Sequence, residues 1–320
     1  MIKLVWRTDV HLSDKSPASR KDDWTDSVFA KLDQVKAVAS KVGAQAVLDG
    51  GDFFHIKSPS RNSHELVRRV ADHHANYPCP VYCVPGNHDA VYGDYENLPQ
   101  QPLGVLYSTG VFRRLYDEHE VVFEQDGVKV RVVGVPYHGK TYDFERFSSI
   151  KKGDEDYLVC VAHVLASEKG GTMFEGEDIL RYRDLAPLDP DLFMFGHWHK
   201  DQGVAEIDGT TFVNIGSLTR GSLSQDNVDR HPAIALLSFS TEGLKVQVVR
   251  LRVKPAEEVF DMDARVREEA RTMTVDAFVE SVRGALLEGG EGTVEDAVCA
   301  MDDLPEVVRE RALGFLELVG

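Results

Sequence analysis

Eight side chains able to bind a metal or move a proton stand just after short apolar runs in this sequence. They are Asp9 and His11, Asp52, Asn87 and His88, His163, and finally His197 and His199. The runs that precede them cover residues 4–6, 46–48, 81–84, 158–161 and 192–195. A strand that stops at a turn leaves the next side chains at the mouth of its sheet, where α/β proteins place their sites. In Asp9-Val10-His11 and His197-Trp198-His199, residues two apart share one face of an extended segment. Carboxylate, imidazole and amide together suit borderline-hard divalent ions such as Mn²⁺, Fe²⁺ or Zn²⁺, not a thiolate site. Seven such ligands exceed what one catalytic ion with an open position needs. They match two ions about 3.5–4 Å apart that share a carboxylate.

Each fragment has a plainer explanation when taken alone. Asp-x-His is commonly a surface turn, Gly-Gly-Asp is a turn, and a lone His163 reads as a hydrogen-bonded core histidine. Their joint occurrence, in this order and always at a strand end, favours the metal site. His55 follows Asp52 by three residues, and either faces a substrate or caps a turn. His138, in Pro136-Tyr137-His138-Gly139, reads as structural.

The elements that would position these groups alternate strand and helix through the first two hundred residues. A helix is expected from Asp22, with Val28, Leu32, Val35, Ala39 and Val42 on the 3.6 period and Gly43 as its stop. A second is expected from Asn62 to Asn76, with Leu66, Val67 and Val70 inward. Asp126-Gly127 and Asp208-Gly209 each sit between apolar runs, the signature of a tight hairpin. Residues 90–116 give no clear pattern, and residues 12–23 read as an exposed loop. The expected class is α/β, a layered β-sandwich flanked by helices. Near Pro255 the composition turns acidic and helical, which places a domain boundary there: 1–255 catalytic, 256–320 a small helical region.

Bulk composition is that of a soluble globular protein, with 42% apolar and 28% charged residues in 320. No apolar run is long enough to span a bilayer, and residues 2–6 lead straight into a strand with no signal-peptide pattern. A cytoplasmic protein with no membrane partner is expected. The cysteines (Cys79, Cys83, Cys160, Cys299) form no CxxC pair and read as free thiols. The net charge of −17 argues at first against nucleic acid. Residues 256–320 carry 17 acidic side chains against 6 arginines, leaving a net of only −6 for residues 1–255. Two divalent ions would cancel four of those charges, so the objection weakens.

The series Thr8-Asp9-Val10-His11, Gly50-Gly51-Asp52-Phe53-Phe54-His55, Gly86-Asn87-His88-Asp89, Ala162-His163 and Gly196-His197-Trp198-His199 resembles the calcineurin-like metallophosphoesterase superfamily. Residues 50–55 followed by Ser58-Pro59-Ser60-Arg61 are most similar to the SbcD-type DNA-repair nuclease subunits. The resemblance implies the metallophosphoesterase fold and two divalent metal ions, with Mn²⁺ expected and Fe²⁺, Zn²⁺ or Mg²⁺ as alternatives. Asp9, His11 and His199 would hold the first ion, Asp52 would bridge, and Asn87, His163 and His197 would complete the second. His88 would be the general acid, with Asp89 oriented beside it. A sugar alkoxide is a poor leaving group, so a positioned imidazolium that protonates it would speed the step.

The same resemblance implies DNA as substrate (double-stranded ends or single strands), an SMC-like coiled-coil ATPase as partner, and a homodimer through the second helix, which carries Arg68 and Arg69. Lys15, Arg20, Lys21, Lys57, Arg61 and Lys140 could contact a phosphate backbone, though most read as solvated surface. In residues 256–320, helices are expected from Thr274, Thr293 and Pro305. They would form a small capping lobe or a docking element, since their charge disfavours direct DNA contact. Two other functions compete: a stand-alone metallophosphoesterase acting on nucleotides or phosphoproteins, and a scaffold with a vestigial site. The intact ligand set argues against the scaffold.

Overall fold

The computed structural model describes residues 1–56, 61–90, 94–170 and 176–262. The helices expected from Thr274, Thr293 and Pro305 therefore lie outside the described residues, as do Lys57 and Cys299. The chain opens with β1 (Ile2–Arg7), α1 (Trp24–Val42), β2 (Ala46–Asp49), α2 (His64–Ala75) and β3 (Val81–Cys83). There follow a 3-10 helix (Tyr95–Gln100), α3 (Pro102–Ser108), β4 (Phe112–Arg114), β5 (Val121–Gln125), β6 (Val128–Val135) and α4 (Glu145–Ser148). Next come β7 (Tyr157–His163), β8 (Ala166–Ser167), β9 (Leu180–Arg181), α5 (Tyr182–Leu185), β10 (Leu192–Gly196), β11 (Asp201–Ile207) and β12 (Thr210–Ile215). The last described elements are α6 (Gln225–Asp229), β13 (Ala233–Ser240), β14 (Gly243–Arg250) and α7 (Ala256–Val259). Met1–Phe260 forms one compact unit.

Local chemistry explains where the helices begin and end. Asp23 caps α1 by accepting the Asp26 N–H at 2.8 Å, and Gly43 ends the helix in the left-handed region at φ 64°. Ser63 caps α2 by accepting the Leu66 N–H at 3.0 Å. Residues 90–116 carry no clear pattern because the elements there are short and lean on each other. Gly104 of α3 lies so close to the 3-10 helix that a Cβ would stand 1.8 Å from the Leu98 carbonyl oxygen.

Two six-stranded sheets form the body, in the orders β14-β13-β1-β2-β3-β4 and β11-β12-β10-β7-β6-β5. Strands β1 to β4 are mutually parallel, as are β6, β7, β10 and β12. Both expected hairpins form: β5–β6 turns through Asp126 (φ 55°) and Gly127 (φ 72°), and β11–β12 through Asp208 (φ 51°) and Gly209 (φ 87°). The sheets bury one face against each other. Ile2, Leu4 and Trp6 of β1 share this core with Val130, Val132, Val159, Val161, Met194 and Val213. Val5, on the opposite face of β1, packs instead with Val28, Leu32 and Val35 of α1. A third core, containing Phe193, Phe195 and Phe212, lies with Tyr182 and Leu185 of α5.

This is the expected mixed α/β sandwich flanked by helices, and it puts the carboxyl ends of its parallel strands where the sequence places the chemistry. Among the described residues, no helix is long and apolar enough to cross a membrane. Cys83 and Cys160 are buried free thiols, and Cys79 is free and half-buried.

Candidate metal centre

Strand β1 ends at Arg7, and the chain turns so that Asp9 and His11 project from its carboxyl end. Strand β2 delivers Asp52 through Gly50-Gly51, β3 delivers Asn87 and His88, β7 ends on His163 itself, and β10 leads to His197 and His199. Four of these positions have left-handed backbone: Asp9 (φ 53°), His11 (φ 49°), Asp52 (φ 53°) and His197 (φ 90°). Such conformations cost free energy in non-glycine residues and persist only where the surroundings enforce them. Here the loops brace one another. The Asp9 N–H donates to the Gly51 carbonyl at 3.0 Å, and the His11 N–H to the Asp52 carbonyl at 2.9 Å. Gly86 permits the closest approach, since a Cβ there would stand 2.1 Å from Asp52 Oδ1.

Two clusters share the Asp52 carboxylate, and the rings of His11, His55 and His88 converge as a third group. Asp9, His11, Asp52 and His199 offer ligand atoms within 4.8 Å of one another, and so do Asp52, His163 and His197. In the first, His11 Nε2 lies 2.8 Å from His199 Nε2 and 3.7 Å from Asp52 Oδ2, while His199 Nε2 lies 3.5 Å from Asp9 Oδ1. In the second, His163 Nε2 is 3.5 Å from Asp52 Oδ2 and 3.1 Å from Asn87 Oδ1. The structure thus brings together all seven residues read as ligands. Asp52 Oδ2 is buried between His11 and His163, yet has no hydrogen-bond partner among the described residues. A buried carboxylate oxygen without a partner is costly. That orphaned oxygen and the converging lone-pair atoms fit divalent cations, which the Asp9, His11, Asp52 and His199 group and the Asp52, His163 and His197 group would hold.

The ligand atoms are oriented from behind, as metal-binding imidazoles generally are. His163 donates Nδ1–H to the Gly50 carbonyl at 2.6 Å, leaving Nε2 to face Asp52. His197 Nε2 lies 2.9 Å from Glu177 Oε1, and the Tyr142 hydroxyl donates to the same oxygen at 2.7 Å. Thr8 Oγ1 donates to Asp9 Oδ2 at 2.6 Å, and the His197 N–H reaches both Asp9 oxygens at 3.1 Å. Beneath the Gly50-Gly51 turn, buried Arg7 donates to Asp49 Oδ2 at 2.7 Å, and Asp49 Oδ1 accepts the Gly51 N–H at 3.1 Å.

Burial and mutual attraction set the charges. Burial alone would raise Asp9, but the hydrogen bond and charge of His199 outweigh it and lower Asp9 to about 2. Burial opposes ionisation of Asp52 too, and His163 and His11 hold it well below the usual carboxylate range. Burial, reinforced by His199, pushes His11 well below its ordinary value and keeps its imidazole neutral, the form a metal would need. For His163, burial is overcome chiefly by Asp52, which lifts it to about 9.

His88 stands at the edge of the first cluster, its ring 4.9 Å from that of His11. Its Nδ1 lies 2.7 Å from the His55 carbonyl, so Nδ1–H donates there and Nε2 is left for the substrate side. The His88 N–H donates to Asp52 Oδ1 at 2.7 Å. The hydrogen bonds of Asp89 go to backbone groups and not to the His88 ring. Asp89 is buried and accepts the backbone N–H groups of Asp52 (2.7 Å), Gly86 (2.9 Å) and Phe54 (3.4 Å). Its work is to tie the two loops together. Burial and the Asp52 carboxylate push it up to about 8, and the Gly86 N–H pulls back. The His55 ring stacks on that of His88 at 5.1 Å, and its Nδ1 lies 3.3 Å from His11 Nδ1. His138 is structural: its Nδ1 faces the Pro136 carbonyl and its Nε2 accepts the Asp143 N–H.

The sequence does not reveal Glu177, Asp49 or Arg20. Glu177 follows no apolar run and meets His197 only through the fold. Arg20, expected among the solvated cations, is buried over the Trp24 and Phe260 rings and donates to Asp22 and the Arg220 carbonyl.

Among solved structures the chain is similar to a novel archaeal phosphodiesterase, at 13% identity and a TM-score of 0.38, covering 78% of this chain and 100% of that one. It is similar to TT1561 of Thermus thermophilus, at 15% identity and a TM-score of 0.47, with 78% and 99% covered. It is also similar to the Haemophilus influenzae NAD nucleotidase NadN, at 14% identity and a TM-score of 0.40, with 78% and 55% covered. No curated protein matches. The calcineurin-like phosphoesterase family matches over residues 2–201, and those residues contain all seven candidate ligands and His88; the chain belongs to this family.

Proposed function

We propose that the protein is a two-metal phosphodiesterase whose substrate is DNA. The observation that carries this reading is the placement of His88. Its ring borders the Asp9–His11–Asp52–His199 cluster, and its Nδ1 is committed to the His55 carbonyl. A bound pair of divalent ions supplies charge for the phosphoryl oxygens and a water acidic enough to attack near neutral pH. The chain's own residues do the rest. Asp9, Asp52, Asn87, His11, His163, His197 and His199 fix where the phosphate sits. His88 Nε2 delivers a proton to the departing alkoxide, which an alkyl diester needs far more than an aryl ester does.

The choice of DNA is supported by the resemblance of residues 50–61 to the SbcD-type nuclease subunits and by the modest charge of residues 1–255. On this reading the chain works with an SMC-like coiled-coil ATPase in DNA repair or recombination, pairs as a homodimer along α2, and uses Mn²⁺. The purified protein with Mn²⁺ should cut linear DNA, and more strongly with the ATPase present. Turnover confined to nucleotides or phosphoproteins, and indifferent to the ATPase, would mean a stand-alone phosphoesterase instead.

A further inference from the structure

A cavity of about 180 Å³ opens beside the first ligand cluster, against His11, His199 and His55. Its remaining wall comes from two places. Trp24 and Pro17 are its apolar side, and the loop after β12 contributes Ser217, Thr219, Gly221 and Ser222. The family's ligand motifs do not account for this loop, and it is built with care. Buried Arg230 donates to the Ser217 carbonyl at 2.6 Å, to the Thr219 carbonyl at 2.8 Å and to Asn227 Oδ1 at 2.9 Å. Buried Arg20 donates to the Arg220 carbonyl at 2.8 Å. Two guanidinium groups therefore hold the loop from behind, and its other face is left toward the cluster.

The polar groups in the wall are only partly used. Ser222 Oγ accepts from Asn227 Nδ2 at 2.8 Å, which leaves its own proton available. Thr219 brings a second hydroxyl-bearing side chain to the same edge. An apolar side, a polar edge with hydroxyls, and imidazole rings at the mouth suit a flat group that is apolar on its faces and polar at its rim. The geometry points to a nucleobase subsite: the cavity receives the base of the nucleotide whose phosphate lies on the metal cluster. Loops held rigid before the ligand arrives lose little entropy on binding. This rests on the phosphodiesterase reading and narrows its substrate to nucleotide esters.

Gly221 allows a test that leaves the fold alone. Its backbone is not left-handed, and a Cβ there would make only an ordinary 3.7 Å contact with Trp24 Cη2. The side chain of Gly221→Val would narrow the cavity. The probes are hydrolysis-resistant phosphonate analogues of AMP and of ribose 5-phosphate, titrated calorimetrically into the full chain with Mn²⁺. The parent should bind the AMP analogue about tenfold more tightly or better, the scale of one stacked base, and Gly221→Val should erase the difference with an unchanged melting temperature. Equal affinities for the two probes in the parent would overturn the subsite, as would a preference that survives in Gly221→Val. A base preference without any ester hydrolysis would refute the proposed activity while leaving the subsite standing.

Discussion

Behind the 217–222 loop lies a buried amine whose removal should stabilise the protein. Lys31 of α1 is 4% exposed, and its Nζ donates to the Ser27 carbonyl at 2.9 Å and Ser27 Oγ at 3.0 Å. Burial first, and then the Arg20 and Arg220 guanidinium groups, lower its pKa from 10.5 to about 7. The unfolded chain thus keeps the proton up to about pH 10.5, while the folded protein gives it up near pH 7. Between those values the unfolded state binds more protons, so stability rises with pH. Below pH 7 the whole cost is present, with a ceiling of about 5 kcal/mol at 1.36 kcal/mol per pH unit. Lys31→Met keeps the aliphatic stem and removes the charge, at the loss of hydrogen bonds worth about 1 kcal/mol each. At pH 6 the variant should be more stable than the parent by about 2–4 kcal/mol. The gap should then close by about 1.4 kcal/mol per pH unit above pH 7. Urea unfolding of both proteins at pH 6, 7.5 and 9, with a chelator present, reads this directly, since other titrating groups cancel in the difference. A gap of the same size at pH 6 and pH 9 would refute the assignment of the cost to a buried ammonium.

Two further outcomes follow from the metal centre. Glu177→Gln removes the carboxylate charge behind His197 and should weaken Mn²⁺ binding about 10–100-fold; calorimetry showing the parent affinity would remove Glu177 from the site. His88→Ala should still bind two Mn²⁺ per chain while its cleavage of an alkyl phosphodiester falls about 10²–10⁴-fold. A smaller loss is expected on an aryl ester, and loss of metal from the variant would contradict the general-acid role.

The candidate metal ligands are legible in the sequence because each is anchored locally: an apolar run of three or more residues ends, and within a few positions the polar side chain appears. The periodicity of α1 and α2 is legible for the same reason, with Gly43 marking the end of α1, while the starts expected at Asp22 and Asn62 fall one residue before the caps Asp23 and Ser63. What escapes is everything that depends on pairing across the fold. Glu177 and His197 lie 20 residues apart, and Arg20 and Arg220 lie 200 apart. No local pattern separates such a buried arginine from a solvated one. The role of Asp89 escapes for a related reason. Proximity in the chain suggests His88 as its partner, but the three N–H groups that converge on Asp89 include two from the β2 loop, Asp52 and Phe54.

The position of Asp89 shows how the centre is held. Four ligand positions sit in left-handed backbone, and nothing in Asp or His stabilises that conformation enough to explain all four. The enforcing contacts run between loops. Asp9 is bound to Gly51, His11 to Asp52, His197 to Asp9, and Asp52 to Asp89. Each strained residue is thus fixed by a neighbour from another strand, and three of the four neighbours are themselves candidate ligands or adjoin one. The β1, β2, β3 and β10 loops consequently form one braced frame, and displacing any of them should loosen the others. The carboxylates and imidazoles are aimed by peptide groups, so their geometry is set by the fold before any cation binds. This explains why a buried oxygen of Asp52 can stand without a hydrogen-bond donor: the frame, not the oxygen's own partners, keeps it between His11 and His163.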